Sequence, residues 1–421
     1  MPDRPTAQTE PVLRLSRRRL TAALTSPLLL LANPDTGSLL AAPGWKPVGQ
    51  DQPATEAPSE PATPSLAERW AVPDGLPDLP KITAKAVFAG DIESGLVLFA
   101  NEADTERAPA STAKVLISLT LVDILTDLEQ VVTVEEDDTV DITVFSNAQL
   151  ATGDEVTVEG LLYGLMLPSG NDAARALARV AGQTLDPNGD DPKATFLDAV
   201  NAKAAELGAV NTVILNPAGE DTEGQHTTAR DLAIAAAALL DNELLATIVD
   251  TQAHDMQVDG PDPRTVLLEN TNTLLGEDGI FGVKTGSTPD AGACLVTGAQ
   301  FSGSSRVVIV VLGSDLTYNA DGQVTADKRY DDTLAIIRAV PEEYTWVDLN
   351  SANAIEGLSG EAAAWQVTFQ QGSELVVPKD QVEKITYQMV LGPTAKSGDE
   401  VGRVLFFLGD RQIADQPVYQ L

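Results

Sequence analysis

From residue 84 onward the chain alternates between two hydrophobic rhythms. "AKAVFAGDIESGLVLFA" places two short apolar runs around Glu93, Ser94 and Gly95, which predicts a β-hairpin. "STAKVLISLTLVDIL", Ser111 to Leu125, is apolar almost throughout and predicts a buried helix that begins at Ser111. "EVTVEGLLYGLMLPSGNDAARALARVAG" predicts a helix starting near Glu155, a break at Pro168, Ser169, Gly170 and Asn171, and a second helix. Helical spacing recurs at Pro192–Leu207 and Thr228–Leu240. "GIFGVKTGSTPDAGACLVTGAQFSGSSRVVIVVLGS" then predicts three strands, the last two turning at Ser302, Gly303 and Ser304, and "TADKRYDDTLAIIRAV" a further helix. Strands stand at both ends of this region with helices between them. That order predicts one sheet assembled from distant segments with a helical subdomain inserted, an α/β (α+β) fold. Beyond Pro341 the runs "WQVTFQ", "LVVPK", "ITYQMVL" and "VGRVLFFLG", separated by Gly, Pro and Asp, predict a small all-β domain over 341–421.

The first 80 residues follow neither rhythm. Arg4, Arg14, Arg17, Arg18 and Arg19 precede the short apolar run Leu20–Ala32, the pattern of an export signal, and "SRRRL" faintly matches a twin-arginine signal. Pro27 interrupts the run, and it is too short to span a bilayer as a helix. Residues 1–42 are therefore expected to be an export leader, which would be the one remaining anchor if uncleaved. Residues 43–80, rich in Pro, Ala and Glu, are expected to be a linker. No amphipathic or apolar tail closes the sequence at Leu421, so no C-terminal membrane helix is expected.

Composition narrows the chemistry. The 421 residues are 43% hydrophobic and suffice for a sizeable core, with residues 81–340 expected to form the main domain. The formal charge of −35, from 27 basic and 62 acidic residues, opposes any nucleic-acid partner. Cys294 is the only cysteine, so neither an internal disulfide nor a thiolate zinc site can form. His226 and His254, the only histidines, lie outside any H-E-x-x-H pattern, and no metal or cofactor is expected.

Three short motifs carry the candidate chemistry: Ser111-Thr112-Ala113-Lys114 opening the buried helix, Ser169-Gly170-Asn171 at the helix break, and Lys284-Thr285-Gly286 on a strand. Each alone is weak; Ser111 by itself reads as a helix N-cap. Together they describe an activated nucleophile. A serine hydroxyl needs an adjacent base. Residues i and i+3 share a helix face, so Lys114 can reach Ser111. Burial by Val115, Leu116, Ile117 and Leu119, with Lys284 as a second cation nearby, would hold Lys114 neutral enough to take a proton. Ser169 could relay that proton to a leaving amine, and the Asn171 amide could bond both Lys114 and a substrate carbonyl. Gly286 would let a peptide pair with the strand, and the Ser111 and Ser287 N–H groups could form an oxyanion hole.

The three motifs in this order resemble those of the serine penicillin-recognising enzymes. "DIESGLVLFANEADTERAPASTAK", "LMLPSGNDAARALA", "HTTARDLA" and "NTNTLLGEDGIFGVKTGSTPDAGACLV" are similar to D-alanyl-D-alanine carboxypeptidases of the low-molecular-mass penicillin-binding class, over about Lys81 to Val340. The resemblance implies a β-lactamase/transpeptidase-like domain whose antiparallel sheet is flanked by helices. It implies removal of the terminal D-alanine from a peptidoglycan stem peptide through an acyl-enzyme on Ser111, outside the cytoplasm, with β-lactams as covalent inhibitors. It further implies that Arg230, in "TARD", holds the substrate's terminal carboxylate with Thr285. A D,D-endopeptidase of cross-links remains the alternative. A class A β-lactamase is disfavoured because Glu206 lies in no E-x-x-L-N pattern and the second motif is S-G-N. A non-catalytic wall-binding protein would have no use for Lys114.

Overall fold

A computed structural model describes residues 65–421 apart from 304, 320–323, 353 and 393–395. The expected leader and residues 43–64 of the expected linker lie outside the described residues. The remainder of that linker is not a spacer. Ser65 and Glu68 form a reciprocal capping box that starts the short helix α1, Leu66–Arg69. Trp70 then buries its whole ring beside Phe88, centroids 5.2 Å apart, and its indole N–H donates to the Asp91 carbonyl at 3.3 Å. One large aromatic thus fastens a Pro-rich segment that periodicity alone leaves unplaced.

In chain order the elements are β1 Ala86–Asp91, β2 Val97–Asn101, α2 Lys114–Ile124, β3 Val131–Thr133, β4 Glu155–Thr157, α3 Val158–Met166, α4 Asn171–Leu185, α5 Pro192–Leu207, α6 Ala229–Asp241 and α7 Glu243–Val249. They continue with β5 Ala253–Val258, β6 Arg264–Glu269, β7 Ile280–Thr288, β8 Gly292–Ser302, β9 Ser305–Ser314, β10 Leu316–Tyr318, β11 Val324–Asp327 and α8 Arg329–Glu343. Last come β12 Tyr344–Asp348, α9 Leu358–Trp365, β13 Val367–Thr368, β14 Glu374–Pro378, β15 Ile385–Leu391, β16 Glu400–Leu408 and β17 Arg411–Gln420.

The central sheet has the order β2-β1-β9-β8-β7, antiparallel throughout, so the first two strands close onto strands two hundred residues later. Both faces are buried, which is why β1, β8 and β9 read as near-continuous apolar runs instead of alternating ones. Phe88, Val296, Val308 and Val310 pack on one face with helices α2 to α7, whereas Val87, Leu98, Ile309 and Val311 pack on the other with α8 and the C-terminal strands. The inserted helical region holds α3, α4 and α5 and two two-stranded sheets, β3–β4 and β5–β6, which the apolar pattern does not announce.

Three boundaries differ from the sequence expectation. Helix α3 starts at Val158, because Glu155–Thr157 pair with Val131–Thr133 before Thr157 caps the helix. Helix α8 starts at Arg329, because Val324–Asp327 pair with Leu316–Tyr318. It also continues through Pro341 to Glu343, so a division at residue 341 falls inside its last turn. The C-terminal region carries the short helix α9 besides a four-stranded sheet, β13-β17-β16-β15, and the pair β12–β14. Among the described residues no single helix is long and apolar enough to cross a membrane.

Candidate active site

Ser111 sits in a tight 3-10 turn, Ala110–Ala113, that feeds α2; the α-helix proper begins at Lys114, not at Ser111. Ala110, at φ +48°, turns the chain in a left-handed conformation just before the serine. In a 3-10 turn residues i and i+3 eclipse, and Lys114 Nζ lies 3.0 Å from Ser111 Oγ. The lysine is fully buried, in the first turn of a helix whose next seven residues are buried too. Its ammonium position is saturated. Besides Ser111, Nζ donates to Asn171 Oδ1 at 2.8 Å, to the Ala218 carbonyl at 2.8 Å and to Ser169 Oγ at 3.4 Å.

The second motif is held by backbone strain and close packing. Ser169, at φ +65°, adopts a left-handed conformation between α3 and α4. A Cβ on Gly170 would lie 2.7 Å from the Gly164 carbonyl oxygen, so only glycine lets the break turn there. Asn171 begins α4. Asp172, fully buried beside it, accepts from the Ala148 and Leu150 N–H groups and so pins the loop that carries Ser146 to the cleft.

The third motif forms the opposite wall. A Cβ on Gly286 would sit 2.8 Å from Thr112 N and 2.9 Å from Ser111 N, so β7 lies directly against the turn of the nucleophile. Lys284 is buried and its Nζ donates to the Thr285 carbonyl at 3.0 Å. The Thr285 hydroxyl shares a 2.7 Å hydrogen bond with Thr271. Ser287 lines a cleft of about 290 Å³ together with Ser111, Phe145, Asn171 and Glu220. A larger groove of about 570 Å³, beside Tyr344 and Arg411, shares no residue with it.

Burial is the main reason that the Lys114 ammonium loses its proton early. Desolvation drives its pKa down to about 7, Glu220 and Asp172 oppose this, and Arg175 assists it. The expectation that Lys284 supplies the assisting cation is corrected. The cation that assists is Arg175, while burial first, then the charges of Lys114 and Arg329, push Lys284 well below an ordinary lysine.

Eight of the nine expected site residues gather around the cleft; Arg230 does not. It sits in the first turn of α6, its backbone N–H donating to the Ala103 carbonyl and its Nε to Asp104 at 2.5 Å. A side chain at a helix start leans back over the preceding segment, and here Thr227 of that segment pairs with Arg107, which brings the loop carrying Asp104 alongside. Arg230 is thus the ion-paired residue of a helix end.

Several contributors escape motif reading. The Ala218 carbonyl, which binds Lys114, comes from the loop Asn216–Glu220, where Asn216 Oδ1 accepts from the N–H groups of Ala218, Gly219 and Glu220. Asn216 followed by Pro217 and Gly219 signals a turn but not its target. Arg329, buried at the start of α8, donates to the Gly286 and Cys294 carbonyls at 2.8 and 3.2 Å and steadies the third motif from behind.

A family model described as D-alanyl-D-alanine carboxypeptidase matches residues 75–316. The chain is 36% identical over 245 residues to the D-alanyl-D-alanine carboxypeptidase of Streptomyces sp. strain K15, covering 56% of this chain and 82% of that protein. It is 27% identical over 352 residues to D-alanyl-D-alanine carboxypeptidase DacF of Bacillus subtilis, covering 80% and 84%. Among solved structures, the Streptomyces K15 DD-transpeptidase superposes with a TM-score of 0.55 at 33% identity, over 62% of this chain and 98% of that one. The D-alanyl-D-alanine carboxypeptidase DacD of Francisella tularensis does so with a TM-score of 0.57 at 25% identity, over 84% and 97%. The relatives and the matching model span the segment that builds the cleft, and on that ground the chain belongs to the D-alanyl-D-alanine carboxypeptidase family of serine hydrolases, the S11 peptidases.

Proposed function

We propose that this carboxypeptidase works through Ser111 as nucleophile and Lys114 as its base. The observation that carries this reading is a fully buried lysine 3.0 Å from the serine hydroxyl, with a pKa brought down to about 7. Ser111 Oγ attacks the carbonyl carbon of the penultimate D-alanine as neutral Lys114 takes its proton. The Ser111 and Ser287 N–H groups receive the oxyanion. The Asn171 amide bonds a substrate carbonyl while its oxygen stays on Lys114. The proton passes by way of Ser169 to the leaving nitrogen, the C–N bond breaks, and free D-alanine departs. Water then adds to the acyl-enzyme as Lys114 accepts its proton, the ester C–O bond to Ser111 breaks, and that proton returns to Ser111 Oγ as the shortened peptide leaves.

The substrate is a peptidoglycan stem peptide ending in D-Ala-D-Ala, which pairs along β7. Its terminal carboxylate meets the Thr285 hydroxyl with the Lys284 side chain behind. β-Lactams, which mimic the acyl-D-Ala-D-Ala bond, acylate the same serine. The enzyme acts outside the cytoplasm, where that polymer lies, and the arginine-rich leader supports export. We divide the chain into a leader over 1–42, a linker over 43–64, a catalytic domain from Ser65 through α8, and a C-terminal domain from Tyr344.

The test is incubation with a fluorescent penicillin and, in parallel, with a peptide ending in D-Ala-D-Ala. Stable label and released D-alanine, both lost in Ser111→Ala, are expected. Absence of both in folded protein refutes the reading. Rapid turnover of penicillin without D-alanine release indicates a β-lactamase, and label without D-alanine an endopeptidase of cross-links. A second reading comes from the solved neighbour titled a DD-transpeptidase: an added amine acceptor would divert the acyl group from water, seen as a new amide product.

A further inference from the structure

Glu220 and Arg175 line up behind the catalytic lysine without belonging to any of the three motifs. Arg175 Nη2 and Asn171 Nδ2 both donate to Glu220 Oε1, at 3.0 and 3.2 Å. The other side of the Asn171 amide, Oδ1, accepts from Lys114 Nζ at 2.8 Å. Arg175 Nη1 also donates to the Thr139 carbonyl at 3.1 Å, at the root of the loop that brings Phe145 to the cleft. Glu220 itself is fixed through its backbone: its N–H donates to Asn216 Oδ1, and its carbonyl accepts from Asn216 Nδ2 and Gln225 Nε2.

An amide side chain is nearly symmetric in shape, and only its neighbours decide which end faces which partner. At Asn171 that decision matters. If the amide turned over, its NH₂ would face the Lys114 ammonium, donor against donor, and its oxygen would face the Glu220 carboxylate, acceptor against acceptor. Glu220 forbids that arrangement. It also occupies one N–H of the amide and leaves the second for a substrate carbonyl. Stability is a poor reason for the pair: both side chains are about a third exposed, at 27% and 34%, where an ion pair contributes about 0–1 kcal/mol.

We propose that the Arg175–Glu220 pair is a positioning element for the carboxypeptidase reaction, in which Glu220 holds the Asn171 amide with its oxygen on Lys114 and Arg175 holds Glu220. This rests on the assignment of Lys114 as the base. The pair touches neither Ser111 nor the scissile bond; it acts through Asn171 and Lys114. The charged and titratable groups around Lys114 are Glu220 and Asp172, which favour its protonated form, Arg175, which disfavours it, and Lys284 on the facing strand, itself pushed well below an ordinary lysine. The two members of the pair therefore act on the lysine in opposite senses.

The experiment measures the rate of acylation by a fluorescent penicillin from pH 5 to 9 in the full chain, with thermal melting alongside. Glu220→Gln keeps an acceptor for Asn171 and removes the negative charge. Acylation is expected to be faster than wild type below pH 7, by roughly threefold, and equal above about pH 8. Arg175→Met removes the opposing cation, and its acylation is expected to be slower than wild type below pH 7 by a similar factor. Glu220→Leu removes the acceptor altogether and is expected to lower the high-pH plateau about tenfold. A purely structural pair would change melting and leave the two pH profiles superimposed on wild type; that result overturns the proposal. Profiles that move in the same direction in Glu220→Gln and Arg175→Met overturn it as well. If wild type itself takes no label, the assignment of Ser111 and Lys114 fails first and the positioning role falls with it. Unshifted profiles in variants of a well-labelled wild type sink the positioning role alone.

Discussion

Replacing Gly286 by alanine isolates one steric contact at the heart of the cleft. Gly286 has no positive φ, so an alanine there meets no backbone penalty. It meets only the turn of the nucleophile, with the new Cβ 2.8 Å from Thr112 N, 2.9 Å from Ser111 N and 3.1 Å from Ala110 Cβ. An ordinary contact begins near 3.4 Å, so strand and turn must part by about 0.6 Å. That movement draws the Ser111 N–H away from the oxyanion position and shifts the serine relative to β7. Misplacement of reacting groups by about 1 Å costs about 10²-fold, and about 0.6 Å is expected to cost 10- to 100-fold in both penicillin acylation and D-alanine release. The assay is the second-order acylation rate with labelled penicillin, scored only if far-ultraviolet circular dichroism matches wild type. A suitable control is Gly360→Ala in α9, where a Cβ meets nothing within 4 Å; it should leave the rate unchanged and raise stability by about 0.5–1 kcal/mol. A Gly286→Ala enzyme that acylates at the wild-type rate would refute the claim that β7 is seated on the Ser111 turn.

Other outcomes follow from the same structure. With neutral Lys114 as the proposed base, acylation should rise as pH climbs through about 7, and a profile flat from pH 5 to 9 would exclude it. The same depressed pKa means that between about pH 7 and 10.5 the unfolded chain holds a proton that the folded chain has lost, so this group makes the fold gain stability as pH rises across that window. Arg230→Ala should leave the KM for a D-Ala-D-Ala peptide within about twofold, since its Nε is already paired with Asp104; a large rise in KM would establish it as the carboxylate anchor. Arg179→Met strips the nearer of two cations, at 2.7 Å, from the fully buried Asp138 and leaves Lys193 at 3.5 Å; it should cost about 1–3 kcal/mol in denaturant unfolding.

The site was legible in the sequence where it is made of side chains at fixed spacing. Ser111 and Lys114 share a helical turn, Asn171 opens a helix, and Gly286 lies on a strand, so local geometry alone constrains them. The Ala218 carbonyl was not legible, because a main-chain acceptor has no residue identity and its aim is set by Asn216 capping the loop. Glu220, Arg175 and Arg329 read as ordinary surface charges until the chain folds and brings them to Asn171 and Gly286. Arg230 lies in a legible short motif, but its partner Asp104, 126 residues away in the chain, was not legible. In the fold, the long apolar strands and the helices were legible from periodicity. The three-residue strands β3 and β4 were not, because Val131–Thr133 and Glu155–Thr157 gain a ladder only by meeting each other. Trp70 fell in a Pro-rich stretch whose composition hides a single dominant contact.

The sheet's second face ties the two halves of the molecule to one fate. Phe99 meets Tyr344 edge-on at 6.0 Å, the Tyr344 hydroxyl donates to the Leu98 carbonyl at 2.6 Å, and Val87, Ile309 and Val311 share one core with Leu375, Phe406 and Val418. Neither half owns a complete interior. A catalytic fragment cut after α8 would turn an apolar sheet face toward water, so the C-terminal strands serve the enzyme as its missing floor, and heat should melt both halves in a single transition.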